Sequence, residues 1–103
     1  MCVHGTSMEA LRNIVRSGGL DRMQRHAIQM GIGLPEDSNV RSGIRAECEI
    51  LIYVDVARAM AQHGLPFYLS SNRVICCPGP IPLDCFLRVI RRRDGSFVDI
   101  SCL

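Results

Sequence analysis

Apolar residues recur at helical spacing near the start of the chain. Met8, Leu11, Ile14 and Val15 fall on one face, with Glu9, Arg12 and Arg16 on the other, which predicts an amphipathic helix. Ser7 stands where a helix is capped, and Gly18-Gly19 where one is stopped. Before that helix, Val3-His4-Gly5-Thr6 reads as a short strand ending at a glycine. His26 to Met30 is a second candidate strand, and Gly31 to Gly43, rich in glycine and polar residues, is expected to be a long loop. Cys48 to Asp55 is the clearest strand, apolar almost throughout and therefore expected to be central. Val56 to His63 follows as a short helix closed by Gly64, with Pro66 just beyond. Phe67 to Leu69 and Arg73 to Cys76 predict two strands around a Ser70-Ser71-Asn72 turn, and Pro78-Gly79-Pro80 breaks the chain. Phe86 to Arg92 is a further strand, and Asp94-Gly95 predicts a hairpin into a strand from Phe97 to Ile100. Many short strands with two helices describe an α+β domain, and they alternate too irregularly for a doubly wound sheet.

At 103 residues the chain has room for one core, so residues 1–103 are expected to form a single domain. No apolar run approaches the ~18 residues that span a bilayer, and Met1 to Gly5 does not read as a signal peptide. The expectation is a soluble, intracellular monomer, cytoplasmic or nuclear, with no membrane partner. Cys48, Cys76, Cys77 and Cys85 lie beside apolar residues, as buried thiols do, and no Cys-x-x-Cys or zinc-like spacing occurs. Reduced thiols and no metal are therefore expected. A net charge of +2 implies little about partners, but all twelve basic residues are arginine. Arginine grips phosphate through a planar, two-pronged donor. A GC-rich coding sequence would leave the same bias. The run Arg91-Arg92-Arg93 could touch a phosphate backbone or simply be a solvated strand end.

Familiar phosphate signatures are missing: there is no Gly-x-Gly-x-x-Gly, no P-loop and no Gly-x-Ser-x-Gly elbow. Three other segments carry candidate chemistry. His4-Gly5-Thr6 gathers a ring nitrogen, an unobstructed backbone and a hydroxyl, which could hold a ribose or a carboxamide. Ser42-Gly43-Ile44-Arg45 leads from the long loop into the apolar strand, where an arginine could reach an anion. Ser70-Ser71-Asn72-Arg73-Val74 offers amide and hydroxyl donors. Each segment alone would also serve as an ordinary surface turn or solvated charge.

In this order and spacing, the three segments resemble the C-terminal lobe of the RNA 2'-phosphotransferase family, enzymes that complete tRNA splicing in fungi. The match also takes in Ser17-Gly18-Gly19-Leu20, Gly33-Leu34-Pro35, Cys48 to Asp55 and Gly64-Leu65-Pro66-Phe67, and reaches about Arg92. The resemblance implies an ADP-ribosyltransferase-like lobe with NAD as co-substrate in a cleft between sheet halves. The partner implied is RNA bearing an internal 2'-phosphate. Arg45 matches the family's essential arginine, and His4, Gly5 and Thr6 would contact the nicotinamide side. Gln29, Gly33, Ser42, Gly43, Ser71, Asn72 and Val74 would complete the cofactor wall, Val74 standing where many ADP-ribosyltransferases carry a glutamate.

Two departures bear on activity. The family's N-terminal lobe, with its Arg-His pair, is not matched, so the chain is expected to be a fragment or a lobe-only relative. The family's His-x-His strand is replaced by Ala27 and Gln29 in the ungapped match, which keeps Gly33-Leu34-Pro35 in register, while a one-residue slip would put His26 in the first histidine's place. Retained phosphate transfer, NAD or ADP-ribose binding without turnover, and ADP-ribosylation of nucleic-acid phosphates are the outcomes to distinguish.

Overall fold

The computed structural model describes residues 2–22, 26–32, 48–71 and 73–103. The first strand, β1 (Cys2–Thr6), is followed by α1 (Met8–Ser17), β2 (Gly19–Leu20), β3 (Ile28–Ile32), β4 (Ile50–Val54) and α2 (Val56–His63). Then come β5 (Tyr68–Leu69), β6 (Ile75–Cys77), β7 (Ile81–Pro82), a 3-10 turn at Leu83–Cys85, β8 (Phe86–Arg91) and a last 3-10 turn at Ile100–Cys102. Six strands form one antiparallel sheet in the order β5-β6-β3-β1-β4-β8, and β2 pairs with β7 in a separate two-stranded ladder. The α+β expectation is met.

Both helices end where local chemistry stops them. The Ser7 hydroxyl accepts from the Ala10 N–H at 3.1 Å. At the other end of α1, Gly18 takes φ +92°, and its N–H reaches the carbonyls of Ile14 and Val15. In α2 the Asp55 carboxylate accepts from the Arg58 N–H, and Gly64 turns at φ +64°. The Leu65 N–H then returns to the Ala59 carbonyl at 3.2 Å, so Leu65 is folded back against the core.

Helix residues Leu11 and Ala59 pack on one face of the sheet, against Cys2, Ile28, Met30, Ile50, Ile52, Val54 and Val89. On the opposite face Val3, Leu51 and Tyr53 form a smaller buried cluster with Ile90 beside it. All five residues of β4 are buried because both faces are covered, which explains the unbroken apolar run. Arg88 lies over the Tyr53 ring, its guanidinium carbon 4.2 Å from the centroid.

The C-terminal hairpin is less regular than the sequence suggested. The chain does turn back after β8, with the Arg91 N–H donating to the Ser96 carbonyl at 2.8 Å. Pairing is then limited to a bridge between Ile90 and Phe97, and the strand expected over Phe97 to Ile100 gives way to the last 3-10 turn. The Asp99 carboxylate explains that ending, because it accepts from the Ser101 N–H and favours a turn over an extended ladder. Arg73, expected to open a strand, instead sits in the turn before β6 with φ +66°. Cys77 and Cys85 are buried as expected, whereas Cys48 and Cys76 are only half-buried.

Candidate active-site cleft

The sheet is divided near its middle. Pairing between β1 and β3 is confined to Cys2↔Ile32 and Val3↔Gly31. Beyond that point β1 stays with β4 as far as Thr6, and β3 stays with β6 back to Ile28. The two halves therefore part at His4, and the gap between them is a cleft.

His4 bridges the gap at its apex. Its Nδ1 lies 2.9 Å from the Gln29 main-chain oxygen. A carbonyl can only accept, so Nδ1 carries the proton. The imidazole thus satisfies an edge carbonyl of β3 that faces β1 where the ladder has ended.

Two hollows with shared walls open near this point. One, of about 220 Å³, is lined by His4, Gly5, Thr6, Asp21, Arg22, Ala27, Ile28 and Gln29. The other, of about 310 Å³, shares His4, Thr6 and Asp21 and runs along α1 past Ala10, Asn13, Ile14 and Ser17. An apolar floor with a few directed polar groups is what a nucleotide-sized ligand needs. Glu49 ties the end of β1 and the first turn of α1 together. Its carboxylate accepts from the Met8 N–H at 2.8 Å, and its own N–H donates to the Thr6 carbonyl at 3.1 Å. A carboxylate at the first turn of α1 also suits the helix dipole.

The cleft therefore unites four of the sequence-derived candidates, His4, Gly5, Thr6 and Gln29. Ser71 and Val74 flank the turn between β5 and β6, on the far side of β3 from β1. Ser71 is exposed there, while Val74 is only 8% exposed, with its N–H held by the Ser70 hydroxyl at 3.1 Å. Register puts this turn level with Gly31 and Ile32, at the closed end of the split. Gly33, Ser42, Gly43, Arg45 and Asn72 lie outside the described residues. Sequence reading missed Asn13, Asp21, Arg22 and Glu49. Asn13 was detectable as a polar residue one helical turn from Glu9 and Ser17, but the tertiary contact of Glu49 with Met8 left no local trace.

Residues 1–79 match the profile of the RNA 2'-phosphotransferase, Tpt1 / KptA family. The chain belongs to that family. It is 43% identical over 77 residues to tRNA 2'-phosphotransferase 1 of Danio rerio, covering 75% of this chain and 33% of that protein. A putative tRNA 2'-phosphotransferase of Schizosaccharomyces pombe is 47% identical over 77 residues, covering 75% and 20% respectively. A probable RNA 2'-phosphotransferase of Hyperthermus butylicus is 32% identical over 93 residues, covering 90% and 38%. The chain thus spans about a third or less of the first two relatives, and the family match over residues 1–79 of this chain takes in β1, β3, β4 and β6 of the split sheet. No helix among the described residues is long and apolar enough to cross a membrane.

Proposed function

We propose that this chain is the NAD-binding lobe of an NAD-dependent RNA 2'-phosphotransferase, moving a splice-junction 2'-phosphate from tRNA to ADP-ribose. The observation that carries the proposal is the parting of β1 from β3, walled by His4, Gly5, Thr6 and Gln29. NAD fits the polar lining: Gly5 leaves the backbone open to approach, Thr6 offers a hydroxyl, and the His4 ring lines the same hollow. As co-substrate, NAD supplies an activated riboside carbon with nicotinamide as leaving group.

In this reading His4, Gly5 and Thr6 hold the nicotinamide side, while Gln29 offers its amide to a ribose hydroxyl. The family resemblance assigns Gly33, Ser42, Gly43, Ser71, Asn72 and Val74 to the remaining wall of the site. Arg45 is the catalytic residue. A 2'-phosphate is already an anion and needs no carboxylate base, so a valine at position 74 in place of a glutamate is chemically intelligible. Position and charge neutralisation are what the phosphate requires, and an arginine provides both. The products are RNA with a free 2'-hydroxyl, nicotinamide and ADP-ribose 1'',2''-cyclic phosphate. Gln29 in place of a histidine favours a second reading, in which the lobe stops at ADP-ribosylation of the phosphate or binds NAD without turnover.

Incubating the protein with NAD and a 2'-phosphorylated oligonucleotide separates these readings. Cyclic phosphate formation, abolished by Arg45→Ala, is the expected result for the complete reaction. A persistent ADP-ribosylated RNA supports the arrested form. NAD binding with unchanged RNA, indifferent to Arg45→Ala, supports a binding lobe and overturns the proposal.

A further inference from the structure

His63, Asp84 and Cys85 come together where α2 meets the turn that leads into β8. The His63 Nε2 lies 3.2 Å from each oxygen of the Asp84 carboxylate. The Cys85 sulfur lies 3.6 Å from Asp84 Oδ1, and the three potential ligand atoms all fall within 4.8 Å of one another. Nitrogen, oxygen and sulfur bound to zinc at about 2.0–2.3 Å in a tetrahedron stand roughly 3.3–3.7 Å apart. Two of the three separations are close to those values, and the third, between His63 and Cys85, is no more than 4.8 Å. None of these residues lines the cleft.

We propose that His63, Asp84 and Cys85 form a binding site for a zinc-like divalent cation, clamping the end of α2 to the β7–β8 connection. The mixed donor set selects a borderline-soft metal and disfavours magnesium or calcium, which take oxygen ligands. Cys85 is fully buried and forms the inner wall, while His63 and Asp84 are partly exposed and leave a fourth position to water. The surroundings favour positive charge. Asp84 and Asp55, whose N–H donates to the Cys85 carbonyl, contribute two carboxylates beside the Arg58 guanidinium. His63 stands in the last turn of α2, at the negative end of the helix dipole. Arg58 lies 3.7 Å from the Asp84 carboxylate, but both side chains are 45% exposed, so that ion pair is weak enough to be displaced. Binding exchanges the Cys85 thiol proton, released to solvent, for a metal–sulfur bond.

Cobalt(II) titration of the chelator-stripped, reduced 103-residue chain tests this. The expected result is saturation at one cobalt per chain, with a thiolate-to-metal charge-transfer band that zinc abolishes by displacement. Cys85→Ser should lose the band, and His63→Gln should weaken binding by about tenfold or more. A band that survives in Cys85→Ser belongs to another thiol and overturns the proposal, as does the absence of any band in the parent chain. If Cys85→Ser does not fold, unchanged affinity in His63→Gln, at an exposed helix end, overturns it equally.

Discussion

The Nδ1–H of His4 donates to the main-chain oxygen of Gln29, not to its side chain. The ring is therefore oriented by backbone, and what residue 29 carries beyond its Cβ is free to serve a ligand. Gln29→Ala is expected to leave the fold and the His4 orientation intact while weakening NAD binding. His4→Ala should weaken NAD binding by about tenfold or more, equivalent to ~1.4 kcal/mol. Calorimetric titration with NAD, alongside thermal denaturation, checks both variants. Equal binding by His4→Ala and the parent would remove His4 from the site.

Glu49 ties the first turn of α1 to the start of β4 through its bond with the Met8 N–H. Glu49→Ala is expected to cost about 1 kcal/mol, the usual worth of a helix-terminal carboxylate and its hydrogen bond. Urea unfolding measures the loss. The Glu49 backbone N–H still reaches the Thr6 carbonyl in the variant, so the loss falls on α1 and not on the β1 end of the cleft.

Gly19 has no room for a side chain. A Cβ there would strike the main-chain carbonyl of Ile81 on the neighbouring strand of the small ladder. Backbone cannot rotate away as a side chain can, so Gly19→Ala should destabilise by roughly 1–3 kcal/mol. Gly18→Ala meets no neighbouring atom but is strained by φ +92°. Comparing the two by chemical denaturation separates crowding from backbone conformation.

Asp94 and Asp99 have carboxyl groups held below the usual range, chiefly by hydrogen bonds from Ser96 and Ser101 respectively. A lowered native pKa means these groups add stability above the ordinary carboxylate value of about 4, and that stability drains away as pH falls through the native value. Melting temperature should therefore drop on acidification in that window. Asp94→Ala should flatten the slope, with little effect near neutrality on the rest of the molecule. A slope identical to the parent's refutes the assignment.

Burial raises the thiol pKa of Cys2 and of Cys77, whereas Cys102 is exposed at the chain end. A thiol kept protonated and covered reacts slowly. Maleimide labelling of the native protein, read by peptide mass mapping, should modify Cys102 well before Cys2 or Cys77. Denaturation should erase the difference.

Much of this architecture is local and was therefore legible in the chain. The limits of α2 follow from Asp55 and Gly64, those of α1 from Ser7 and Gly18, and the burial of β4 from its unbroken apolar run. Caps and periodicity act within a few residues, so sequence alone expresses them. The ladder of β2 with β7 was not legible, because its partners stand some sixty positions apart and neither has a strand-like pattern. Nor was the failure of the last strand, where the Asp99 turn competes with pairing to β8.

The sequence by itself determined both helices, the central strand and, through its ordered motifs, the family. Only the tertiary structure decided where the sheet parts, and so which candidates share a wall. His4 and Gln29 are 25 positions apart, and their union depends on β1 and β3 each following a different outer partner. Strand pairing is settled by hydrogen bonds between distant segments and by the faces they bury together. No local pattern encodes that choice.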